Sequence, residues 1–545
     1  MPDYDVNDVA SVGFIADIPG FQLPPEAWTF AENARLVNDG AGSGATWNQL
    51  ADTSSVASAA PVALLAVRSP TYAPWIAYAS LSDLFVWDTF TVTNVSGPSA
   101  PYATVNAWDW VGTELSGIPI WTNNVKPPQY WTALSTSASY ADMPQWTAHL
   151  GTSAACVSMR AFGPFLIALN VTLGPGGAAN SSLVAPVHHP HGVIWSHPAD
   201  PGTMPSSWNY ADPTMDAGFT ELNDAEAGCI LDGLALKSLF IIYKEASSWI
   251  MRLVGGQYVM QLDPFLLQSG ILATHCVALT GDGKFHFVAT ADDLIIHDGS
   301  TTTSLLDKRA RRALFSRISV PDYEKCFCFA VPSQREMWFA YPEAGVGQIS
   351  RAMIWNYSGG GNGVLYESQF TFASACVSEA VAGTGPWDNQ TIVWDADVAA
   401  WDETARRRTL LADPTGNQIL LMDHGQGRVG APFTTTLQRE ALSFIAHRRL
   451  PMWDPLMDFK QRKYVRRIWP KMAGAPCNIR IGFTNTVGGQ TQWGTSVPFD
   501  PSTQVYADFT VSGREVPSVE FTWSSDIGPG TLYGYKMEIF PAGNF

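Results

Sequence analysis

Four histidines sit close together in the chain: His188, His189 and His191, with His197 nearby. Neutral imidazoles are common transition-metal ligands. Adjacent residues on an extended chain point to opposite faces, however, and no Cys or carboxylate stands at a telling spacing. The cluster therefore reads as surface loop. A second group is acidic: Asp388, Asp395, Asp397, Asp402 and Glu403 crowd the stretch WDNQTIVWDADVAAWDE. Glycoside hydrolysis needs two carboxylates a set distance apart, one of them with a raised pKa. Closeness in sequence supplies neither, so a solvated hairpin is expected. A third candidate is GQGRVG, Gly425 to Gly430, a G-x-G-x-x-G pattern after the strand-like QILLMD. A phosphate site there requires a helix N-terminus. Ala431-Pro432 and a threonine run follow instead, which marks a turn. Neither a G-x-S-x-G elbow nor an H-E-x-x-H helix occurs. The reading is a non-enzyme with no catalytic, cofactor-binding or metal-ligating residues and no cofactor.

Composition points the same way. The chain has 545 residues, too many for one ordinary core, so two to four domains are expected. Charged residues make up 15% and aromatic residues 12%, with 21 Trp, 46 Gly and 37 Pro. Such a turn-rich, aromatic-rich chain favours all-β architecture. Trp87, Trp121, Trp338 and Trp394 fall at strand ends, which suits packing between sheets rather than ligand binding. Seven Cys without framework spacing read as buried free thiols, with Cys326 and Cys328 on one face of a strand. The formal charge of −17 argues against tight binding to nucleic-acid phosphates. That charge is uneven: the first 250 residues hold roughly six Lys and Arg against about twenty Asp and Glu. Basic residues gather at Lys308 to Arg312, Arg406 to Arg408 and Arg448 to Lys471. They are expected to meet acidic surfaces of neighbouring subunits. The polar start MPDYDVNDVA does not read as a signal peptide, and no apolar run of membrane-spanning length is seen.

The elements follow from turn chemistry. The stretch Gly270 to Gly299 reads GILATHCVALTGDGKFHFVATADDLIIHDG. Val277 to Thr280, Lys284 to Thr290 and Leu294 to His297 are three short apolar runs. Gly281-Asp282-Gly283, Ala291-Asp292-Asp293 and Asp298-Gly299 turn the chain between and after them. This is most of one four-stranded propeller blade. Similar hairpins recur roughly every 40 to 50 residues, as blades require. A short helix is expected over EAWTFAENARL after Pro24-Pro25, and another within Ser304 to Ile318. The fold class is all-β: a degenerate β-propeller with an N-terminal arm and a C-terminal β-sandwich-like domain. The expected divisions are 1–58 for the arm, 59–431 for the propeller with a loop insertion near 174–207, and 432–545 for the sandwich.

Five blocks of this chain, in order, resemble the tail nozzle (tail tubular protein B-like, tail hub or stabilisation) proteins of short-tailed bacteriophages. They are IWSHPADPGTMPSSW (Ile194 to Trp208), the blade stretch Gly270 to Gly299, REMWFAYP (Arg335 to Pro342), RRIWP (Arg466 to Pro470) and VSGREV (Val511 to Val516). The resemblance spans about residues 105 to 545. It implies a structural subunit of the virion, assembled in the host cytoplasm. Such a subunit forms a homo-hexameric ring with a central channel for DNA ejection. Its implied partners are tail adaptor ring proteins, tail fibres, transiently passing double-stranded DNA and the host cell surface. The alternative is a polysaccharide-binding or -cleaving β-propeller protein. A third reading, an intracellular propeller scaffold, lacks the G-H…W-D repeats.

Overall fold

The computed structural model describes residues 3–37, 40–68, 74–102, 106–132, 134–224, 228–255, 259–266, 268–359, 363–379, 407–425, 427–442, 461–484, 489–513 and 516–544. Blade 5 shows why this sequence makes short antiparallel strands. Gly283 and Gly299 take φ of +71° and +90° at the two hairpin turns, where a Cβ would be strained. Asp282 and Asp298 fold back onto the backbone N–H groups of Lys284, Ser300 and Thr301. Between the turns, His286–Ala289 is wholly buried and pairs with Val277–Leu279 on one side and Leu294–His297 on the other. A fourth strand, Thr302–Ser304, completes the blade.

Six such meanders follow one another, and a seventh is completed from a distance. Their first strands are Ala63–Arg68, Val111–Leu115, Ala155–Phe162, Ile230–Leu236, Val277–Leu279, Phe327–Val331 and Ser374–Ser378. Each lies against the next, and the seventh lies against the first, so the ring closes. Among the described residues this is a seven-bladed propeller. Blade 7 takes its outer strand from the N-terminal side: Trp47–Asp52 pairs with Gln418–Met422. One chain end thereby locks onto the other, so the ring cannot open without breaking that ladder. The joins from blade 7 through blades 1, 2 and 3 to blade 4 hold separate apolar clusters, while blades 4 to 7 share one large core that runs on into the sandwich. Phe85, Tyr78 and Leu410 fill the join of blades 1 and 7; Trp110 and Trp121 fill that of blades 1 and 2. Trp87, Trp121 and Trp338 are all buried, as strand-end packing requires, while Trp394 lies outside the described residues.

The sandwich is woven from both ends of the chain. One sheet runs Ala507–Gly513, Gln461–Gly474, Gly530–Asn544, Gly40–Ser43, Ala34–Val37, with Asp3–Asn7 also on Gly530–Asn544. The other carries Phe30–Glu32, Thr434–Arg439, Val516–Ser524 and Cys477–Thr484, and continues through Phe30–Glu32 into blade 6. The N-terminal arm thus supplies strands to both sheets. The helix expected over EAWTFAENARL is absent: Ala27–Trp28, Phe30–Glu32 and Ala34–Val37 are strands instead. Long-range pairing overrides the local preference there. Asn33 makes the corner between the two sheets at φ +52°. Its side chain donates to Thr434 O at 3.1 Å and accepts from Gln369 N at 3.0 Å.

Two further expectations are adjusted. The helix within Ser304 to Ile318 exists but is short, Arg311–Phe315, and Asp17 caps the backbone N–H groups of Arg312 and Ala313. The stretch 174–207 is not all loop, because Val187–Trp195 is the third strand of blade 3.

Candidate functional site

Residues far apart in sequence meet at the propeller axis, where the first strands begin. Ala63 opens blade 1, Trp108 precedes blade 2, and His275 precedes blade 5. Phe327 opens blade 6 and Ser374 opens blade 7. Together they wall a cavity in which a water-sized molecule can be centred over about 80 Å³. His275, held at φ +71°, reaches across the axis and donates from Nε2 to the carbonyl oxygen of Trp108 at 3.2 Å. Its own carbonyl accepts from Cys328 N at 2.8 Å. Burial pushes the His275 pKa down, against the pull of Asp232, so the ring bridges as a neutral group.

A buried ion pair joins the first strands of blades 3 and 4. Arg160 of blade 3 donates from Nη2 to Asp232 Oδ2 of blade 4 at 2.6 Å and from Nε to Oδ1 at 2.9 Å. It also reaches Gly112 O of blade 2 at 2.9 Å, and Ser158 Oγ donates to Asp232 at 2.6 Å. Burial raises the Asp232 pKa, but Arg160 outweighs it and the net direction is down. This carboxylate is fully paired and has no free lone pair aimed at a substrate.

At the cavity mouth Lys325 Nζ stands 5.3 Å from the centre of the Trp108 ring. It donates to Asp322 Oδ1 at 2.7 Å and Gly347 O at 2.6 Å. Cys326 and Cys328 both line the cavity, as their shared strand face requires. Burial pushes both thiols well up, so they are poor nucleophiles. No Asp or Glu is among the lining residues. The arrangement suits holding a small molecule; it lacks the nucleophile–base or twin-carboxylate geometry of hydrolysis.

The sequence candidates are dispersed. His188 bonds Asn170 at 2.6 Å and His189 bonds Glu221 at 2.6 Å, while His197 Nδ1 accepts from Asp216 N. No group of three metal-ligating side chains occurs among the described residues. Within GQGRVG, the stretch from Arg428 to Ala431 is a tight turn: the two residues exchange backbone bonds at 2.8 and 3.0 Å, and the next described element is the strand Thr434–Arg439. The acidic run from Asp388 to Glu403 lies outside the described residues. The basic clusters are largely used within the chain. Arg311 pairs with Asp293, Arg467 with Asp508 at 2.7 Å and Lys471 with Asp5 at 2.8 Å. Of Arg406 to Arg408 only Arg407 and Arg408 are described, and of Arg448 to Lys471 only residues from 461 on. Sequence reasoning missed the axial cavity, because Trp108, His275, Lys325 and Ser374 share no spacing; only the common face of Cys326 and Cys328 hinted at it.

No family model matches this chain, and no curated protein does. Two solved structures are similar at low scores. The extracellular domain of a putative one component system from B. thetaiotaomicron is 10% identical with TM-score 0.28, covering 55% of this chain and 39% of that one. PorZ, a bacterial surface component of the type-IX secretion system of Porphyromonas gingivalis, is 10% identical with TM-score 0.34, covering 84% of this chain and 46% of its own. The chain thus spans less than half the length of either. At these scores neither likeness carries a functional argument. No helix among the described residues is long and apolar enough to cross a membrane.

Proposed function

We propose that this chain is a non-enzymatic structural subunit of the tail nozzle of a short-tailed phage. In this reading it forms a homo-hexameric ring, docks on the tail adaptor and passes DNA through a channel between subunits. The observation that carries it is the fusion of propeller and sandwich into one block. The second sandwich sheet is continuous with blade 6. Buried ion pairs cross the join: Arg35 of the sandwich holds Glu336 of blade 6 at 2.6 Å and Asp423 beyond blade 7 at 2.9 Å. Arg351 of blade 6 holds Glu32 of the sandwich at 2.7 Å. Such a block keeps two outer faces at a fixed angle, which a ring subunit requires. The blocks that resemble nozzle proteins fall on both parts: Gly270 to Gly299 is blade 5, and RRIWP lies in the long sandwich strand Gln461–Gly474. In this reading DNA passes between subunits, since His275 and the Arg160–Asp232 pair tie the first strands of different blades together.

The alternative, a polysaccharide-binding or -cleaving propeller, is favoured by one feature, the Trp108 ring on the wall of an axial cavity. The lack of carboxylates there narrows it to binding. Imaging the purified chain mixed with adaptor rings separates the two: sixfold rings support the nozzle reading. Turnover of a polysaccharide panel, abolished by one Asp or Glu substitution, overturns the non-enzymatic reading.

A further inference from the structure

The axial cavity has a lopsided set of polar groups. Lys325 has three N–H donors, of which Asp322 and Gly347 use two. The Trp108 indole N–H and the Ser374 hydroxyl have no hydrogen-bond partner among the described residues. Val62, Ala63 and Phe327 add apolar side chains to the same wall. Three side-chain donors of the wall, one each on Lys325, Trp108 and Ser374, are thus unused. Asp109 and Glu324, the sequence neighbours of Trp108 and Lys325, repel each other. The only lining cation already has an anion, Asp322. Unused donors beside a cation that already has its anion favour a ligand that offers oxygen acceptors without a negative charge.

Size narrows the choice. A single water needs about 10–15 Å³ of such space, so about 80 Å³ holds roughly half a dozen. That is the volume of one sugar ring and too little for a chain of them. We propose that the axial cavity binds one neutral polyol of monosaccharide size. Its hydroxyl oxygens accept from Trp108 Nε1, Lys325 Nζ and Ser374 Oγ. The step is binding alone, with no bond made or broken.

This site stands apart from ring assembly, because its residues lie inside one propeller. It can therefore be tested on the isolated full-length chain. Saturation-transfer NMR and calorimetry are run with glucose, galactose, N-acetylglucosamine and sodium glucuronate. At least one neutral sugar is expected to bind with Kd on the order of 1 mM, the affinity open to a ligand of about twelve heavy atoms. Glucuronate is expected to bind at least about tenfold more weakly. Ser374→Leu fills the cavity from a small side chain and is expected to abolish the signal. Trp108→Phe keeps a ring, loses the donor and is expected to weaken binding several-fold; it also serves if Ser374→Leu does not fold, as judged by circular dichroism. Absence of transfer from every neutral sugar at about 50 mM overturns the proposal. So does glucuronate binding as tightly as the hexoses, or binding left unchanged by both substitutions.

Discussion

Acid should loosen this propeller between blades 4 and 5, and two histidines set the size of the effect. His286 and His297 are buried and share one phenol, Tyr243, at 2.8 and 2.7 Å. His286 Nε2 donates to Ala235 O at 3.1 Å, so its Nδ1 accepts from the Tyr243 hydroxyl. The Tyr243 oxygen then accepts from His297 Nε2. The remaining nitrogen, His297 Nδ1, is buried with no partner. A proton added to either ring has nowhere favourable to go. Burial, with His297 adding to it, lowers the His286 pKa to about 3, and burial lowers that of His297 to about 4. In the unfolded chain both titrate near about 6.5. Between these values the unfolded state holds more protons, so stability falls as pH falls through the window. From pH 7 to pH 5 each ring costs about 2 kcal/mol, about 4 kcal/mol together. This window lies above the ordinary carboxylate range. His275, also lowered by burial, adds in the same direction, while Asp109 and Asp293, raised first by burial, oppose it. A variant isolates the term. Urea unfolding of wild type and His297→Gln, followed by Trp fluorescence at pH 7 and pH 5, should show the variant losing about 2 kcal/mol of the pH-induced change. An equal change in both proteins would refute the reasoning.

Arg160→Met leaves Asp232 buried without its cation and should cost about 3–5 kcal/mol by thermal unfolding, with part recovered by adding Asp232→Asn. Glu336→Ala leaves Arg35 with Asp423 alone in place of two carboxylates and removes the acceptor of Tyr366 Oη at 2.6 Å, so a lower unfolding midpoint is expected, with a smaller loss than for Arg160→Met. Asn33→Ala should destabilise by about 2–4 kcal/mol, because alanine tolerates the positive φ poorly and the bonds to Thr434 and Gln369 disappear. Arg466→Glu, at an exposed strand position, should leave the unfolding midpoint of the isolated chain within about 0.5 kcal/mol of wild type while impairing particle incorporation; normal particles would reject a contact there.

Local chemistry in the sequence was a good guide where strands are neighbours. Gly283 and Gly299 place their turns as read, and Cys326 to Val331 with Met337 to Tyr341 forms the expected hairpin of blade 6. The fourth strand of blade 5, Thr302–Ser304, is too short and polar to stand out. Val187–Trp195 was hidden because its first half, VHHPH, is polar and interrupted by Pro190, which breaks the period-2 signal. What sequence alone could not supply is pairing at long range. Trp47–Asp52 finds Gln418–Met422, and Asp3–Asn7 finds Gly530–Asn544, across most of the chain. The axial cavity has the same origin: its walls are strand starts that become neighbours only when the ring closes.

The central claim is that this rigid block builds a ring around a DNA channel. Electron microscopy of the purified chain incubated with the adaptor rings of a short-tailed phage tests it most directly. The account predicts sixfold rings with an open channel between subunits and a closed axis within each propeller. Isolated two-part particles that never associate with the adaptor, at any protein concentration tried, would contradict it.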